Sequence, residues 1–177
     1  MKKAAWFLAL QVLLLAACAP KLPSCESVLS SDSYASELDK VFELTNEARA
    51  NDRYCGDTYY HATTPLSRNE QLNCSASKHA QDMAITKTLS HYTPVGAVNY
   101  SPGSGPEDRM MVEGYVGHRY GENIAMGQTS AEAVVLDWLN SPEHCASIMN
   151  PDYKDIGLGH ATDDEGTDYW VQDFGAP

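Results

Sequence analysis

His91, Glu122 and His144 are of the residue types that do metal and acid–base chemistry, although their spacing alone does not bring them together. Two imidazoles and a carboxylate are competent first-row metal ligands, with a coordination position left for water. The same groups can instead form a hydrogen-bonded cluster in which Glu122 orients one imidazole. Their separation along the chain is no obstacle, because sites are assembled in space. No nucleophile accompanies them. Ser90 adjoins His91, but adjacency in sequence does not make a Ser–His pair, and Ser141, near His144, reads as a helix cap. The chain has no glycine-rich phosphate loop and no basic aromatic patch.

The cysteines carry the second chemical signal. Lys2 and Lys3 precede an apolar run from Trp6 to Leu15, too short to span a bilayer comfortably. The run ends in Leu15-Ala16-Ala17-Cys18, which resembles a bacterial lipobox. Residues 1–17 are then a lipoprotein signal peptide, and Cys18 becomes the acylated N-terminus. An ordinary secretory signal cut near Ala17 would leave Cys18 a spare thiol. Cys25, Cys55, Cys74 and Cys145 remain, an even number in an exported chain. Two disulfides are the natural reading, but four cysteines allow three connectivities and spacing does not choose.

The 177 residues suffice for one domain with a substantial core. With 12 basic and 24 acidic residues the net charge is −12, which becomes −14 once Lys2 and Lys3 leave with the signal. Such a balance excludes nucleic acid as a partner and an electrostatic grip on anionic lipid. Membrane attachment therefore rests on the acyl chains of Cys18.

Residues 18–35 are rich in Ser and Pro and read as a tether, with the domain over residues 36–177. A first helix is predicted from about Ser36 to Ala50, with Leu38, Val41, Phe42, Thr45 and Ala48 at helical spacing. Arg49 on its neighbouring face would pin a loop or a carboxylate. Residues 51–66 read as a loop. Ser67-Arg68-Asn69-Glu70 reads as a capping box opening a second helix that runs to about Leu89. Its stripe is Leu72, Ala76, Ala80 and Met83, and His79 reads as a hydrogen-bonded helix histidine. Thr93 to Pro106 is a surface loop. Glu107 to Met110 begins a short helix, and Thr129 to Glu132 is a second capping box before an amphipathic helix carrying Trp138. Ser141-Pro142 opens a further short helix. Tyr120–Met126, Ile156–His160 and Tyr169–Phe174 are strands, with Trp170 in the core.

The pieces Tyr120-Gly121-Glu122-Asn123-Ile124-Ala125, Trp138, Ser141-Pro142-Glu143-His144, Asn150-Pro151 and Ile156-Gly157-Leu158-Gly159 occur in one order and spacing. Together they resemble the CAP superfamily (cysteine-rich secretory proteins, antigen 5, pathogenesis-related proteins) in its bacterial SCP-like form. Asn46 and Arg49 resemble its first-helix signature. The resemblance implies an α+β fold, an α-β-α sandwich with a small antiparallel sheet covered by helices on both faces. It implies that His91, Glu122 and His144 line one central cleft. It also favours a Cys55–Cys145 bridge, since Cys55-Gly56 and the cysteine after His144 match positions used by bacterial relatives; Cys25–Cys74 is the pair left over. Ser141 stands where eukaryotic relatives carry a second glutamate, so zinc in the cleft would be weakly bound. The function implied is an exported, lipid-anchored, non-enzymatic binding module of the cell envelope, taking a small apolar ligand or a protein partner. The alternative is a metal-assisted hydrolase using the His91/Glu122/His144 cleft.

Overall fold

The computed structural model describes Cys25 and residues 35–177. The expected signal peptide over residues 1–17, Cys18 and all of the expected tether but Cys25 and Ala35 lie outside the described residues. No helix among the described residues is long and apolar enough to cross a membrane.

Four strands form the central sheet in the order β3 (Ser67–Arg68), β5 (Asp155–Thr162), β6 (Asp168–Ala176), β4 (Arg119–Met126). The β5–β6 hairpin and the β4–β6 pair are antiparallel, while the short β3 runs parallel to β5. Strand β6 is central and buried throughout. Its residues alternate between two helical layers, as the period of two requires. Trp170 and Phe174 point into the larger core cluster with Leu38, Val41, Val134, Trp138 and Ile148. Those partners come from α1 (Ala35–Arg49), α4 (Ala131–Asn140) and α5 (Pro142–Met149). Tyr169 and Val171 point the other way, against Ala76, Ala80 and Met83 of α2 (Glu70–Thr86). Helix α3 (Pro106–Val112) lies beside α2. The result is the expected α-β-α sandwich.

Two glycines set the depth at which α2 lies on the sheet. A Cβ on Gly157 would sit 2.0 Å from the Leu72 carbonyl carbon, and one on Gly159 would sit 2.2 Å from that of Ala76. Helix backbone thus rests directly on strand backbone, which any side chain at either position would prevent.

The second helix departs from the sequence expectation. Its cap is Asn69, whose side chain accepts from Leu72 N–H, and not Ser67. Ser67 N–H and Asn69 N–H donate to the carbonyls of Lys154 and Ile156, so the sheet takes the backbone that the expected capping box needed. The helix also stops at Thr86, with Lys87 in the left-handed conformation. In the second box, Ser130 caps through Ala133 N–H in place of Thr129. Ser141 holds the N-cap position of α5 but makes no side-chain cap bond. The expected loop over residues 51–66 contains a hairpin, β1 (Arg53–Cys55) with β2 (Thr58–Tyr60), turned at Gly56 with φ +60°. The 93–106 loop is anchored more than its composition suggests. The buried Asp82 carboxylate accepts from the N–H groups of Val98, Asn99 and Tyr100, at 2.9, 2.9 and 3.2 Å.

Arg49 is fully buried and donates to the carbonyls of Thr64, Ile148, Asn150 and Tyr153, so it pins loops and no carboxylate. Cys55 and Cys145 are joined across 90 residues, with Cα atoms 5.4 Å apart, tying β1 to α5. Cys25 and Cys74 are thiols in the structure, so the leftover pair is not bridged there. Removing the Cys55–Cys145 bridge by a Cys55→Ala, Cys145→Ala change is expected to cost about 2–4 kcal/mol, chiefly through the unfolded chain. Chemical denaturation of the double variant measures this, and a loss under 1 kcal/mol would show the hairpin is held without it.

Candidate functional site

Glu122 lies on β4 directly opposite Asp173 of β6, and both face the α2 side of the sheet. The Glu122 side chain is 1% exposed, yet it carries two charge-assisted bonds. His91 Nδ1 donates to Oε1 at 2.8 Å, and the fully buried Arg109 donates to Oε2 at 2.5 Å. His79 Nε2 stands 3.9 Å from the same carboxylate while donating to the Ser90 carbonyl at 2.9 Å. That bond is the structural role its position on the helix suggested. Arg109 also donates to the carbonyls of His91 and Ser104, so it fixes the loop that presents His91.

Burial pushes the Glu122 carboxyl up, but the His91 hydrogen bond and the Arg109 and His79 charges outweigh it and hold the group below the usual range. Asp173 has the opposite outcome. Complete burial, followed by the charge of Glu122, pushes its carboxyl well above the usual range. Two ionised carboxylates directly opposite would repel, and the cross-strand pair avoids this by keeping Asp173 neutral. Burial lowers His79 to about 4. His144, in the first turn of α5, is lowered by burial and then by the charge of nearby His91. Its carbonyl accepts from Asn123 Nδ2, which ties α5 to β4.

The structure therefore places His91 on Glu122, with His144 close by. It does not gather the three as a chelate. Among the described residues no group of three or more His, Cys, Asp or Glu is placed to hold a metal ion. Glu122 is buried with both oxygens engaged, by an imidazole and a guanidinium, so the residues do not fit the zinc site that the resemblance implied. The arrangement does orient His91: Nδ1 of the half-exposed ring donates to Glu122, so the neutral form of the ring would carry its proton there.

Arg109 and Asp173 were not singled out by sequence reasoning. Arg109 had a faint signal, as a lone cation among Glu107, Asp108 and Glu113 on a short helix. Asp173 interrupts the apolar pattern of a closing strand, in the run Trp170-Val171-Gln172-Asp173-Phe174.

His79 gives a pH prediction. Its folded value of about 4 lies below the unfolded value of about 6.5, so the unfolded chain binds the proton first. Its contribution is fully present above about pH 6.5 and is lost as pH falls towards 4. The loss is on the order of 2–3 kcal/mol. Urea titrations at pH 7 and pH 4.5 measure it, and a His79→Gln variant should show a shallower decline over that window. An unchanged slope in the variant would assign the acid sensitivity to other groups.

Comparison with known proteins now identifies the scaffold. A model of the cysteine-rich secretory protein family, CAP, matches residues 42–174. The Bacillus subtilis protein YkwD is 36% identical over 135 residues, which is 76% of this chain and 45% of that protein. The solved structure of an extracellular protein containing an SCP domain from Bacillus anthracis superposes with a TM-score of 0.63 at 23% identity, over 80% of this chain and 41% of that one. An outer surface protein of Borrelia burgdorferi superposes with a TM-score of 0.65 at 21% identity, over 82% of this chain and 96% of that one. The chain spans less than half the length of the two Bacillus proteins. The sandwich, the cleft built on Glu122 and the match over residues 42–174 agree: this chain belongs to the CAP family of cysteine-rich secretory proteins.

Proposed function

We propose that the chain is an exported, non-enzymatic binding module of the bacterial cell envelope, anchored through acylated Cys18, whose ligand is a small apolar molecule. The observation that carries this reading is a groove of about 420 Å³ between α1 and α4. Leu44, Ala48, Val135, Leu136 and Leu139 supply its apolar walls, and Glu47, Asn51, Arg53 and Glu132 stand at its rim. An apolar trough with a few polar groups suits an acyl chain with a polar head. The cleft supports the same conclusion from the other side. Glu122 is committed to Arg109 and His91, which disfavours the metal-assisted hydrolase as the alternative.

Fluorescence titration with a polyene fatty acid tests the groove. Saturable micromolar binding is expected, weakened at least about tenfold by Leu139→Glu, since a charge placed in an apolar wall must be desolvated. Equal binding by wild type and variant would place the ligand elsewhere. Mass spectrometry of the membrane fraction checks the anchor, and a mature chain beginning after Cys18 would remove it.

A further inference from the structure

Cys25 and Cys74 lie outside both the cleft and the apolar groove. Cys74, on the α2 turn nearest α3, is buried, and its thiol donates to Glu113 Oε2 at 3.0 Å. Glu113 also accepts from Lys78 Nζ at 2.9 and 3.0 Å and from the Tyr100 hydroxyl at 2.9 Å. Half-buried Cys25 hydrogen-bonds the Cys74 side chain, and the two sulfurs share a cavity of about 200 Å³ with Glu70, Gln71 and Glu113. Two thiols in contact, one accessible and one held by a carboxylate, are the geometry of an attacking and a resolving cysteine.

We propose that Cys25 and Cys74 are the reduced form of a redox-closed latch, a disulfide that fastens Cys25 onto α2. The oxidant is a disulfide, whether of a dithiol oxidase or of glutathione. Cys25 attacks first because it is the accessible sulfur. Its thiolate displaces one sulfur of the donor as a thiolate and leaves a mixed disulfide on Cys25. Cys74 then gives its proton along its hydrogen bond to Glu113 and on to solvent. Its thiolate attacks the Cys25 sulfur and expels the second donor thiolate. Two thiols lose two electrons and two protons, and the donor disulfide becomes two thiols. Closure removes one donor from Glu113 but leaves Lys78 and Tyr100 on it, so the partly buried carboxylate stays paired.

Burial, the Cys25 hydrogen bond and the Glu113 carboxylate all push the Cys74 thiol up, which keeps it protonated until Cys25 is loaded. The order of attack follows from this difference in surroundings, as thiolate fraction and access together set exchange rates.

The test uses the full chain, exported or refolded, and glutathione disulfide as the probe. Non-reducing peptide mapping after acid trapping should show a Cys25–Cys74 peptide beside the Cys55–Cys145 one. In the Cys74→Ser variant Cys25 should stay capped by glutathione. In the Cys25→Ser variant Cys74 should be capped at least about tenfold more slowly, reflecting its burial and raised thiol. Oxidised wild type should melt on the order of 10 °C above Cys25→Ser, since the bridge closes a loop of roughly fifty residues. Two free thiols in wild type under excess glutathione disulfide, or a Cys25-linked dimer of two chains, would overturn the latch. Equal capping of Cys74 with and without Cys25 would overturn the order of attack.

Discussion

An Arg109→Met variant is expected to lose about 3–5 kcal/mol of stability at pH 7, because it strands the charge of Glu122. The guanidinium is fully buried and donates to Glu122 Oε2 and to the carbonyls of His91 and Ser104. Methionine fills similar volume, so the loss reports charge and hydrogen bonding more than packing. The pH dependence separates the causes. In wild type the Glu122 carboxyl sits below its unfolded value of about 4.3, so its contribution is present above that pH and is lost as pH falls through the folded value. Without Arg109 the burial that opposes ionisation has less to offset it, and the carboxyl moves up. The unfolded chain is common to both proteins, so the gap between them should narrow as pH falls from the variant's raised value towards the wild type's lowered one. An Arg109→Met, Glu122→Gln double variant should recover much of the loss, since both charges leave together. Urea denaturation of the three proteins closes the cycle. A single-variant loss below 1 kcal/mol would mean that Glu122 finds water or another cation.

Trp138→Ala is expected to cost a similar 3–5 kcal/mol and to lower the melting temperature by roughly 10 °C. Trp138 is 1% exposed, and α4 presents it with Val134 and Val135 to the core shared with α1 and the sheet. Its indole N–H donates to the Ile124 carbonyl at 3.2 Å, so the ring also fastens α4 to β4. Trp138→Phe keeps most of the apolar contact and gives up that bond, so it should cost about 1–2 kcal/mol. Chemical denaturation with an unchanged m-value is the measure. A Trp138→Ala protein melting within a degree or two of wild type would show that α4 does not close the larger core as described.

Much of the scaffold was legible because it depends on local pattern. The stripe Leu38, Val41, Phe42, Thr45 and Ala48 predicted α1, and all of these but the partly buried Phe42 are buried there. The alternation about Trp170 predicted β6, whose two faces meet different helices. The order of short motifs from Tyr120 to Gly159 carried the family and, through it, the sandwich.

What the sequence determined by itself was therefore periodicity, punctuation and residue chemistry: which segments are helix or strand, and that imidazoles, carboxylates and cysteines are available. The tertiary structure decided who meets whom. Ser67 could cap a helix by type, but its N–H goes to Lys154, far away in sequence, so Asn69 caps in its place. Glu122 could ligate a metal by type, but Arg109, on another element, and His91 take both oxygens. Asp173 reads as an ordinary acid until the strand register sets it opposite Glu122 in a dry layer and holds it neutral. The physical reason is common to all three. A backbone N–H or a carboxylate has few bonding positions, and in a buried layer the partner brought nearest by the fold fills them, whatever the local sequence would allow.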